Sequence, residues 1–259
     1  MNRAVKMFVA LAVGAVLAGG ASAQTPRKGL FEDPVLKVGI EGGFAAKSVR
    51  WDKGTDESTL RTRHLGLAAD VTFASGLGLS LFAGWGSSDP EDAVFRNLPI
   101  SLEYAAGAMK GLAFGAAVRK TLITFGDLET GARASYVIFT GTSKTWPIEG
   151  FAVEGDARGR PKWSEFEIGP TVAYKAFTRL TPYLGLSLNW FRGDFRMTES
   201  LGELGGEQVR KFAQKGLLRI ALGASFDLGR GFFIDGEAGA VPAKGKTGTG
   251  ATVRLLYGF

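Results

Sequence analysis

The chain predicts an all-β fold: one antiparallel, up-and-down β-barrel that spans a membrane. Three observations predict it. Apolar residues recur at every second position in stretch after stretch. The face between them carries glycine, alanine, serine and paired-sign charges rather than ordinary surface residues. The connections alternate between tight turns and long polar loops. Residues i and i+2 share one face of a strand, so each stretch has one bulky face and one small or charged face. Such strands close sensibly only with the bulky face on lipid and the other in a cramped lumen.

Composition narrows the functions open to the chain. Of 259 residues none is cysteine, which excludes disulfides, thiolate metal sites, a cysteine nucleophile and lipid attachment at cysteine. The single histidine, His64, excludes a multi-histidine metal site. Glycine is abundant at 38 residues, yet mean hydropathy is only +0.07. Membrane-crossing helices need about 20 mostly apolar residues each, and no such run follows residue 23. The formal charge of +6 is spread along the chain with no basic stripe suited to nucleic acid.

Taken in order, residues 1–23 read as a signal peptide. Arg3 and Lys6 precede the apolar run from Met7 to Ala18, and Ala21-Ser22-Ala23 is a small-x-small cleavage site before Gln24. Residues 24–35 read as a periplasmic lead-in, and 36–259 as the barrel. Strands are expected at 36–50, 60–74, 77–87, 164–177, 182–196, 211–226, 231–241 and 248–259. Candidates at 97–108, 111–124 and 131–143 make the middle ambiguous. With both termini on one side the count must be even. Ten strands result if one candidate lies outside the membrane, and twelve if a further strand near Pro147 to Glu154 joins; ten is favoured. Ser75-Gly76, Met109 to Gly111, Thr178 to Thr181 and Asp227 to Gly231 read as tight periplasmic turns. Trp51 to Ser58, Ser87 to Asn97, Met197 to Val209 and Val241 to Thr249 read as outer loops. Trp51, Trp85, Trp146, Trp163, Trp190, Tyr174 and Tyr257 fall near strand ends, as interfacial girdles do.

The last strand carries the most specific signal. Ala251, Val253, Leu255, Tyr257 and Phe259 alternate on one face, and Phe259 ends the sequence. This resembles the assembly signal of bacterial outer-membrane proteins, which implies recognition by the barrel-assembly machinery through Val253, Leu255, Tyr257 and Phe259. With the Leu180-to-Gly185 turn and strand start, the chain also resembles the small porin-like family that includes the transmembrane half of OmpA-type proteins. The resemblance implies a bacterial outer-membrane location. It departs from full OmpA-type proteins in having no peptidoglycan-binding domain after the last strand, so cell-wall anchoring is not expected.

Parity places Glu41, Asp70, Arg119, Glu165, Glu167, Lys175, Arg219, Asp235, Glu237 and Arg254 on the inward face. They form either a plug of salt bridges or the lining of a thin water path. Mixed signs predict weak ion selectivity in the second case. An enzyme is not expected. The His-x-Ser arrangement of small-barrel lipid A deacylases fails at His64-Leu65-Gly66, and barrel phospholipases and omptin-type proteases would also depend on His64. No cofactor or metal is expected. The glycine-rich segments 202–206 and 245–250 lack phosphate-loop spacing and a following helix. Arg158, Arg160 and Lys162, diluted by Glu154 and Asp156, and Arg61 and Arg63 are candidates for contact with lipopolysaccharide phosphates. The expected protein is thus a structural or interaction protein of the outer membrane, with a minor pore left open; the alternative is a small passive porin or channel for ions or small solutes, and a weaker alternative is an envelope enzyme that modifies lipid or peptide. Its oligomeric state is left open.

Overall fold

The computed structural model describes residues 31, 33–52, 56–91, 93–95, 102–104, 107–148, 155–243 and 245–259. The leader, most of the lead-in and part of the 97–108 and 147–154 candidates lie outside them. Among the described residues there are fourteen strands and no helix. They are β1 (Val35–Trp51), β2 (Glu57–Thr72), β3 (Leu77–Pro90), β4 (Val94–Phe95), β5 (Leu102–Glu103), β6 (Met109–Phe125) and β7 (Leu128–Gly141). Then follow β8 (Lys144–Pro147), β9 (Gly155–Tyr174), β10 (Leu180–Leu201), β11 (Leu204–Gln214), β12 (Leu218–Gly229), β13 (Phe232–Val241) and β14 (Gly248–Gly258).

Ten of these close a ring in the order β1-β2-β3-β6-β7-β9-β10-β12-β13-β14, and β14 pairs back onto β1. Every pairing is antiparallel. The outward positions form the apolar belt. Ile40, Leu65, Leu67, Leu81, Leu186, Leu222 and Leu255 are exposed, whereas their inward neighbours Glu41, Ala68, Phe82, Ser187, Ala221 and Leu256 are buried. A water-soluble barrel would bury the leucines; here only lipid gives them an apolar partner.

The ring changes size along its axis. β11 and β12 both run beside β10, β11 against Arg192–Leu201 and β12 against Leu180–Leu188. They follow one line, interrupted at 215–217. On its other side β12 meets β13, but β11 meets β1 directly at Val49↔Gln214, Arg50↔Ala213 and Trp51↔Phe212. The short β13–β14 hairpin therefore wedges between β12 and β1 only at the lower end. The barrel has ten strands there and eight at the outer end.

Four sequence expectations need correction. The expected strand 211–226 is split by this jog. The expected turn at Met109 to Gly111 lies inside β6, and the tight connection is Gly126-Asp127, where Gly126 adopts φ +56°. Gly111 is a glycine for another reason: a Cβ there would sit 2.3 Å from the Thr140 carbonyl. The expected loop Met197 to Val209 is almost all strand. β10 and β11 pair up to Leu201↔Leu204, because sheet pairing continues above the belt where water, not lipid, is the solvent. Trp51 and Trp163 are not girdle residues: they point inward and are 1% and 7% exposed, whereas Trp85 faces out at 72%. β4 and β5 pair with each other, off the ring, and β8 continues β7 alongside β9 rather than adding a span.

Candidate functional site: the filled lumen

The lumen is filled in layers, each built from the inward parity of several strands. At the lower end Lys37 Nζ lies 3.4 Å from the centre of the Phe233 ring. Arg119 donates to Thr72 Oγ1 at 2.9 Å, and Lys175 pairs with Glu129 at the rim. Asp235 is turned inward with Oδ1 buried and without a hydrogen-bond partner among the described residues.

Above this, two knots of charge cross the barrel. In the first, Arg254 on β14 donates from Nε to Glu41 on β1 at 2.5 Å and from Nη1 to both oxygens of Asp70 on β2 at 3.3 Å. His64 Nε2 lies 3.2 Å from the other Glu41 oxygen, with its ring against Phe82. In the second, Arg219 on β12 reaches Glu167 on β9 at 2.9 Å and Glu237 on β13 at 2.7 Å. Arg133 on β7 spans the lumen to the second Glu237 oxygen at 2.6 Å, where Tyr183 also donates at 2.9 Å. Ser187 closes the set on Glu167. Charges held in low dielectric survive only in such paired, hydrogen-bonded arrangements. The cavity beside the second knot, against Arg133, Glu167, Tyr183, Arg219 and Glu237, is about 10 Å³, room for roughly one water.

A third bridge lies higher still. Lys47 on β1 meets Glu165 on β9 at 2.5 Å, and Asn189 and Gln214 extend it. Beyond it the lumen turns apolar. Trp51, Phe139, Trp163, Phe191, Phe195, Met197 and Phe212 pack as one buried cluster. Ala93 and Phe95 at the β4 end and Tyr104 after β5 fold into the mouth and join it. Arg210 seals the edge: Nε donates to Asp52 at 2.8 Å, Nη2 to Asp56 at 3.2 Å and Nη1 to the Val94 carbonyl, while the guanidinium lies over Trp51. Burial pushes the Tyr104 hydroxyl above its ordinary pKa.

Of the charges read from the sequence, Glu41, Asp70 and Arg254 meet in the first knot, and Glu167, Arg219 and Glu237 in the second. Glu165 joins the third bridge. Arg119 and Lys175 stay at the lower rim, and Asp235 joins no knot. Sequence reasoning missed Lys47, Arg133, Tyr183 and Arg210. Lys47 shares the parity of Glu41, and Arg133 that of Phe139, so the alternation could have found both. Arg210 falls between the loop read to Val209 and the strand read from 211, so no face was assigned to it. His64 faces the lumen beside Glu41.

A closed ring with leucines outside and ion pairs inside leaves one architecture. The chain has the fold of an outer-membrane β-barrel. No family model and no curated protein matches it, so the OmpA-type resemblance rests on sequence pattern alone. Similar solved structures include the translocator domain of autotransporter NalP from Neisseria meningitidis, at 16% identity and TM-score 0.44, covering 99% of this chain and 96% of that one. Another is the outer membrane protease OmpT of Escherichia coli, at 12% identity and TM-score 0.45, covering 93% of this chain and 100% of that one. A third is the attachment invasion locus protein Ail of Yersinia pestis, at 13% identity and TM-score 0.34, covering 86% and 98%. Translocation, proteolysis and attachment belong to those proteins.

Proposed function

We propose that this protein is an integral bacterial outer-membrane barrel with a structural or interaction role, not a channel and not an enzyme. The observation that carries the reading is the filled lumen. Two charge knots, a lysine–glutamate bridge and an aromatic cluster follow one another along the axis, and the cavity beside the second knot admits roughly one water. A porin needs a continuous wet path, and the aromatic layer interrupts one. His64 lies 3.2 Å from Glu41 within this packing, and among the described residues the aromatic layer stands between it and the outside.

In this reading the leader is removed on export. The barrel-assembly machinery takes up the last strand, whose outward residues Val253, Leu255, Tyr257 and Phe259 are all exposed. The work of the protein would then lie in its outer surface. Planar-bilayer recording on refolded protein tests the closed lumen. A silent membrane is the expected result; steady unitary current steps would replace this reading with that of a small passive porin.

A further inference from the structure

The outward face of β9, β10 and β11 changes character abruptly above the apolar belt. Phe166 and Trp190 stack there with ring centres 5.6 Å apart, an aromatic pair of the kind that marks a membrane interface. Cross-strand register then sets out successive outward rows. Ser164 is opposite Arg192; next come Lys162, Asp194 and Lys211 side by side; then Arg160, Arg196 and Val209. These three rows hold five cations against one carboxylate. The following row, Arg158, Thr198 and Glu207, and Asp156 beyond it, carry more negative charge than positive. Arg160 and Arg196 are direct cross-strand neighbours, an arrangement that costs stability. Arg160 is oriented by its Nε bond to the Gly141 carbonyl at 3.1 Å, and Arg196 leans toward Glu207 at 3.4 Å.

Two residues along a strand advance about 6.8 Å, or about 5 Å of height at a tilt of about 45°. Arg192 therefore stands about 5 Å above the aromatic pair, Lys162 and Lys211 about 10 Å, and Arg160 with Arg196 about 14 Å. The headgroup layer is about 5–8 Å thick on each side of the bilayer, so Arg192 stands within it and the two higher rows lie at and just above its outer edge; this is where the positive charge is concentrated, and a soluble partner would be met by the outermost rows, where the excess has gone. We propose that Arg160, Lys162, Arg192, Arg196 and Lys211 form a binding face for the phosphate groups of the outer-leaflet glycolipid, lipopolysaccharide. Opposed arginines offer a phosphate two planar forks of donors, which is what offsets their mutual repulsion once the anion is bound. The proposal rests on the outer-membrane reading above but not on the closed lumen.

The test uses the mature chain refolded in micelles, titrated with diphosphoryl lipid A and followed by native mass spectrometry. The wild type should retain lipid A, and Arg160→Ala/Lys162→Ala/Arg196→Ala should bind at least tenfold more weakly. Monophosphoryl lipid A should bind several-fold less well, and inorganic phosphate should not saturate. Equal affinity of the triple variant and wild type overturns the proposal, as does inorganic phosphate binding as tightly as lipid A. Heat-modifiable gel mobility reports folding independently. If the triple variant fails it, Arg160→Gln/Arg196→Gln keeps side-chain length and takes its place, with the same outcomes. Bilayer conductance is read separately, so an open lumen would leave this result standing.

Discussion

At the scale of single residues, the arginines of this barrel fall into two energetic classes. Arg254 is shared by Glu41 and Asp70, both buried. Arg254→Ala would leave two carboxylates in the lumen without their cation. That should cost about 3–5 kcal/mol, read as an earlier urea-unfolding midpoint of the reconstituted barrel. Arg61 pairs with Glu91 at 2.8 Å but is 60% exposed. Arg61→Ala should change stability by less than about 1 kcal/mol in the same assay, because water screens and replaces the pair. Sequence parity could find Arg254; it could not say that one guanidinium serves two acids, because that follows from three strands meeting.

At the scale of elements, close strand contact and the outer seam decide stability. Gly66 and Gly84 face each other across β2 and β3, and a Cβ on Gly66 would lie 2.3 Å from the Ala83 carbonyl. Gly66→Val should therefore lower stability by at least about 1–3 kcal/mol, since backbone rather than a flexible side chain must move. The β1–β11 seam is short and leans on Trp51, which packs on Phe95, Phe195 and Phe212 and donates to Ser58 at 2.7 Å. Trp51→Ala should cost about 3–5 kcal/mol and loosen the outer mouth first, seen as earlier hydrogen exchange in β11 than in β13. The cores of the ring strands were legible from alternation, but not their extensions at 109–111 and 197–209. The jog at 215–217 was not, because it is produced by a hairpin that stops at Val241↔Gly248 and lets β11 fall onto β1.

At the scale of the molecule, the barrel is inside-out at its belt and ordinary at its outer end. There the strands rise into water around a dry aromatic core. Single-tryptophan variants would report this directly. Brominated acyl chains should quench Trp85 and Trp190, which face outward, and leave Trp51 and Trp163 bright, because those two are enclosed by the outer cluster. Quenching of Trp51 by lipid would mean that the seam, not the core, holds it.

The sequence by itself determined the class of fold and which way each strand faces. A period of two is a local property, and an apolar side turned to lipid needs no particular partner. Tertiary structure alone decided whether the lumen is open. The bridges that fill it join residues far apart in the chain, 118 positions for Lys47 and Glu165 and 213 for Glu41 and Arg254. Only ring closure and strand register bring such charges to one height. The narrowing from ten strands to eight likewise exists only once β14 has found β1.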